Sequence, residues 1–167
     1  VGFEPERHLS ASYREAPGTI YMTLHPSTLT LAEAIVHEVQ HAKLNTISWF
    51  DAILYNAMTE WCASPVRPDL RPIWGVLLAV HAFVPVAVLH QRLQEMGHPI
   101  SQTPDFERRQ VEVLQGNENG LKLLKEKAEP TPLGLKVIDD LGELHSYCLE
   151  KSTDLRPRFQ DSVLPPG

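Results

Sequence analysis

Residues 30–45 read TLAEAIVHEVQHAKLN, and the apolar positions Leu31, Ala34, Ile35 and Leu44 recur at the three-to-four-residue spacing of an α-helix. Thr30-Leu31-Ala32-Glu33 has the S/T-x-x-E form of a capping box, in which hydroxyl and carboxylate satisfy free amides at a helix start. Inside the helix lies His37-Glu38-Val39-Gln40-His41, an HExxH pattern. Residues four apart stand one above the other on the same helix face, so two imidazoles there can grip one ion. Glu38, beside the first of them, can point toward a metal-bound water or a ligand. Two histidines leave a divalent transition metal short of its coordination, so a third ligand must come from elsewhere.

Upstream, residues 1–15 are polar and mixed and read as a loop or weak helix, and Pro17-Gly18 marks a turn. Residues 19–24, TIYMTL, are β-branched and aromatic, the profile of a strand, which His25-Pro26-Ser27 ends. A strand, a turn and then a helix carrying HExxH is the context a metal reading requires. The strand could take a peptide by strand addition if it were an exposed edge.

Downstream, residues 47–61 read as a weak helix or loop. Residues 64–72, SPVRPDLRP, hold three prolines and two arginines, a stiff, non-helical crossing. Residues 74–93 are apolar nearly all round and predict a buried helix, with Pro85 expected to bend it. Gly97-His98-Pro99 breaks the chain. Residues 104–127 predict a charged amphipathic helix, weakened at 116–120, and residues 133–151 another. The expected architecture is mainly α with minor β: one metal-binding domain over residues 1–153 and a flexible tail over 154–167. The chain opens on Val1 rather than Met, so residues upstream are expected to be missing.

At 167 residues the chain can bury a core without covalent staples. A net charge of −6 with no Lys/Arg cluster argues against nucleic acid as a partner. Cys62 and Cys148 form no CxxC pair and suggest a reducing, cytoplasmic setting. The longest apolar run carries His81 and Pro85, and no membrane partner is expected.

Three residues compete to be the third ligand. Glu60 lies 19 residues past His41, near the spacing that completes the zinc site of thermolysin-like peptidases; Asp51 stands in a His-x9-Asp relation; His81 lies 40 residues on, within the apolar helix. Read alone, His81 is a core histidine donating to a nearby carbonyl. The metal-bearing helix needs a partner, however, and the most buried helix is the obvious one; a neutral imidazole is tolerable there if a metal takes its lone pair. His81 is therefore favoured over Glu60 and Asp51. His25, His90, His98 and His145 lack ligand-like spacing and read as core or solvated residues. Arg67 and Arg71 read as surface salt-bridge partners or, on their stiff segment, as guanidinium forks for an anionic substrate or cosubstrate.

The blocks AEAIVHEVQHAKLN, SPVRPDLRP and GVLLAVHAFVPVAVLH, in this order and spacing, resemble the HExxH-motif domain encoded in bacteria beside genes for ribosomally made, modified peptides. The resemblance spans residues 18–93. It implies an Fe(II)- and 2-oxoglutarate-dependent peptide β-hydroxylase. It implies His37, His41 and His81 as iron ligands and an arginine, Arg71 before Arg67, on the cosubstrate. The implied partner is a peptide or precursor peptide. Glu38 would then orient a ligand or water. Chemistry alone favours a zinc metallopeptidase with Glu38 as general base. A third reading is a peptide-recognition module without chemistry.

Overall fold

The computed structural model describes residues 2–3, 8–63 and 70–159. Among them are five short strands, β1 (Gly2–Phe3), β2 (Ser10–Ser12), β3 (Ile20–Leu24), β4 (Trp61–Ala63) and β5 (Leu70–Pro72). The four α-helices are α1 (Thr28–Phe50), α2 (Ile73–Glu95), α3 (Pro104–Lys127) and α4 (Pro132–Lys151), with 3-10 turns at Pro99–Gln102 and Arg156–Arg158. The fold is mainly α with minor β.

Helix α2 is the hub. Its apolar surface all round needs burial on every side, and α1, α3 and α4 all pack against it. Ile73, Val76, Leu77 and Val84 join Leu44 of α1, Leu124 of α3 and Leu141 of α4 in one cluster. Val86 and Ala87 meet Val113, Leu114 and Cys148 in a second. By length and composition α2 could cross a membrane, yet it lies at the centre of this helical packing. Pro72 offers no side-chain cap; instead the Ile73 and Trp74 amides donate to the Glu60 and Ala57 carbonyls. Pro85 sits inside α2, which continues past it.

The other helices start on hydroxyl caps. Thr103 accepts from the Phe106 amide and Thr131 from that of Gly134, each followed by proline at the first helical position. Gly134 is demanded by packing, because a Cβ there would lie 1.9 Å from the Ile53 carbonyl oxygen. The expected weak point at 116–120 is unbroken helix: Asn117 and Gly120 are buried, and the Asn117 amide donates to the Phe83 carbonyl on α2.

Three expectations are corrected. The cap of α1 is Ser27, which accepts from the Thr30 amide, so Thr30 lies inside the helix and Glu33 is free for another role. Helix α1 runs on to Phe50, beyond the expected weakening at Ile47. Strand β3 is the middle of the order β1-β3-β2, parallel to β1 at Thr23 and Leu24 and antiparallel to β2 at Ile20, Tyr21 and Met22, so it is not the edge strand that strand addition requires. Of the stiff crossing, 64–69 lie outside the described residues, and 70–72 form β5, antiparallel to β4. At the start of the expected tail Leu155 is buried in the second cluster, and 160–167 lie outside the described residues.

Candidate metal centre

Helix α1 buries four residues, Glu33, Ala34, Glu38 and Leu44, and two of them are carboxylates. A helix does this only where partners wait on the facing elements. Glu33, His37 and His41 follow one another at four-residue intervals, one helical turn each. Glu38 looks elsewhere, toward β2.

The HExxH histidines share a face as expected: their ring centroids are 4.3 Å apart and the rings meet edge to face. Phe83 of α2 packs against the far side of this pair, 4.6 Å from the His37 ring. Burial pushes the His37 imidazolium down to a pKa of about 4, with the field of His41 adding to it. Burial also lowers His41. Both rings are therefore neutral at neutral pH, the state in which imidazole offers a lone pair to a metal.

His81 approaches from α2, near enough for the field of His41 to act on it. It hydrogen-bonds the Gln40 backbone, and its pKa is depressed to about 4 by burial, then by His41 and Lys43. Its Nδ1 is buried with no hydrogen bond, and a neutral imidazole with a free ring nitrogen can offer a lone pair to a metal. His41 Nδ1 is likewise buried without a partner. The donor set thus fits a divalent transition metal in kind. Among the described residues, no three His, Cys, Asp or Glu side chains converge closely enough to enclose an ion.

Glu38 is only 3% exposed. Its Oε1 accepts from the Ser10 hydroxyl on β2 at 2.7 Å, while Oε2 is buried without a partner. Glu33, one turn before His37, accepts from His90 Nε2 at 2.7 Å and from Arg109 Nε at 2.9 Å. Burial alone would raise the Glu33 carboxyl; the hydrogen bond from His90 and the charge of Arg109 outweigh it and hold the group below the usual carboxylate range.

The remaining candidates separate. Glu60 pairs with Lys127 at 2.9 Å beside β4, and Asp51 is the exposed C-cap of α1. His25 accepts from the Ser27 amide, His98 from that of Ile100, and His145 is buried on α4. Arg71 lies on β5 with its side chain along Gly75 of α2, about 9 Å up the helix axis from His81 at 1.5 Å per residue. Arg67 lies outside the described residues. Sequence reasoning passed over Ser10, Phe83 and Arg109, and read His90 as a bystander. Ser10 sits 28 positions from its partner and Arg109 76 from Glu33, on a helix whose charges otherwise read as a solvated face. No short-range pattern marks them.

Comparison with models of known protein families finds no match, and comparison with curated proteins finds none.

Proposed function

We propose that this chain is a cytoplasmic Fe(II)- and 2-oxoglutarate-dependent oxygenase that hydroxylates the β-carbon of a residue in a ribosomally made peptide. The observation that carries the metal part is the neutral His37–His41 pair with the unpaired Nδ1 of His81 beside it. His37, His41 and His81 would hold the iron, which with 2-oxoglutarate and O₂ would supply the oxidising power when bound.

The chain's own residues orient and shield. Phe83, on the same helix as His81, packs edge to face against the His37 ring and covers that side of it. Arg71, with Arg67 as the alternative, binds a carboxylate of 2-oxoglutarate. Glu38 is tethered to Ser10 through one oxygen and directs the other toward a ligand or bound water. A carboxylate held this way suits an orienting role better than that of a mobile general base, which supports the oxygenase over the zinc metallopeptidase.

Anaerobic addition of Fe(II) and 2-oxoglutarate should give a visible charge-transfer band, and O₂ should then give succinate. No band, together with tight Zn²⁺ binding and peptide cleavage, would replace this reading by the peptidase. Failure to bind any metal would leave a peptide-recognition module.

A further inference from the structure

We infer that Glu33 is a positioning residue for His37, acting through Arg109 and Phe83; the inference rests on the metal-site reading above. Glu33 divides its two oxygens between two helices. Oε1 takes His90 of α2, a residue with no exposed surface, and Oε2 takes Arg109 of α3. One carboxylate therefore fastens the HExxH helix to both neighbours, one turn before the first candidate ligand.

The connection to His37 continues through stacked groups. The Arg109 guanidinium carbon lies 5.7 Å from the centroid of the Phe83 ring, and that ring lies 4.6 Å from His37 at 63°. A guanidinium is a rigid plane whose orientation is set once its hydrogen-bonding edge is held. Glu33 holds the Nε edge, and Glu112 accepts from Nη1 at 3.3 Å on the exposed side. The fixed plane lies over Phe83, and Phe83 with His41 bounds the His37 ring. Metal-binding histidines are usually oriented by a hydrogen bond to their second nitrogen. Here aromatic packing backed by a partly buried ion pair performs that task. Ring orientation matters because a ligand lone pair is directional, whereas mere stability does not depend on which way the ring points.

The test uses the full-length, metal-free protein with Co²⁺ as the probe, because its visible ligand-field spectrum reports coordination geometry. Glu33→Gln should weaken Co²⁺ binding at least ten-fold and alter the spectrum at saturation. The His37 ring resonances of the metal-free protein should shift as well. Phe83→Leu, which leaves the Glu33 contacts in place, should reproduce both changes. Arg109→Lys, which keeps the charge and loses the planar fork, should produce them in weaker form. Leu141→Ala, in the remote apolar cluster, should lower stability and leave affinity, spectrum and resonances unchanged. Wild-type affinity, spectrum and ring resonances in folded Glu33→Gln would overturn the inference; should that variant fail to fold, the same result in Phe83→Leu overturns it. A wild-type protein that binds no Co²⁺ removes the metal reading instead, and the His37 resonances still decide whether Glu33 positions the ring.

Discussion

Two polar clusters lie one helical turn apart on the seam between α1 and α2, and they are built in opposite ways. Around Glu33 opposite charges meet: both carboxylate oxygens are bonded, to His90 and to Arg109. Around His37 the groups are neutral imidazoles, and His41 Nδ1, His81 Nδ1 and Glu38 Oε2 are buried without partners. A buried polar atom without a partner costs about 1–3 kcal/mol. A fold tolerates several in one place when the place serves a ligand rather than stability. The first cluster, where only His90 Nδ1 is left unpaired, holds the helices together; the second, with three unpaired atoms, is the candidate binding site.

The largest expected effect breaks this comparison directly. His37→Ala or His41→Ala should abolish metal binding, a loss of at least a thousand-fold, about 4 kcal/mol. Thermal unfolding of the metal-free protein should barely change, because each substitution removes a buried polar ring. Retained affinity in a calorimetric titration would move the site away from the HExxH face.

Removing the charge at the other cluster should cost stability as well as affinity. Glu33→Gln leaves Arg109 without its counter-charge and His90 with a weaker acceptor, and urea unfolding should register about 2 kcal/mol of lost stability. A loss under about 1 kcal/mol would put this network among ordinary surface bridges.

The two clusters also respond to acid in separate windows. His37 and His81 have folded pKa values near 4, against about 6.5 for an imidazole in the unfolded chain. The unfolded chain therefore takes up protons first, and stability falls as pH drops from 6.5 to about 4, then levels. Glu33, whose folded value is lowered, contributes stability that is fully present above its unfolded value and lost as pH falls through the folded one. Unfolding titrations at pH 7, 5.5, 4 and 3 should show both phases. His37→Gln should flatten the upper one only. A single phase below pH 4 would mean that the imidazoles are not buried as neutral groups.

What could be read in the sequence follows the range of the interaction. The HExxH pairing and the apolar length of α2 are local patterns, and helical geometry alone turns them into structure. The α1 start was misread because two hydroxyls, Ser27 and Thr30, both suit a cap. The choice depended on Glu33, whose carboxylate is drawn to His90, 57 positions away. The middle position of β3 depended on β1, a two-residue strand with no periodicity to detect. His81 stood out because an imidazole is conspicuous among valines and leucines. Arg109 did not, because a charged residue on an amphipathic helix is ordinary.

His81→Ala should weaken metal binding about ten-fold, near 1.4 kcal/mol. This is smaller than the effect at the HExxH pair because His37 and His41, four residues apart on one helix with ring centroids 4.3 Å apart, form the part of the site already assembled. Unchanged affinity would return His81 to the role of a core histidine bonded to the Gln40 carbonyl.

The smallest expected effect sharpens the comparison most, because it concerns a carboxylate that shares a feature of each cluster. Glu38 has one bonded oxygen, like Glu33, and one orphan, like the histidines. Ser10→Ala removes the hydroxyl and should cost about 1 kcal/mol of stability, the worth of one hydrogen bond to a charged group with some relief by water. If Glu38 orients a ligand, its tether to β2 is what aims it, and Ser10→Ala should slow succinate-coupled hydroxylation several-fold at unchanged metal affinity. If Glu38 were instead a general base acting on water, releasing it from Ser10 would leave it free to reach that water, and peptide cleavage would be maintained or increased. The sign of the rate change in this one variant separates the two chemistries.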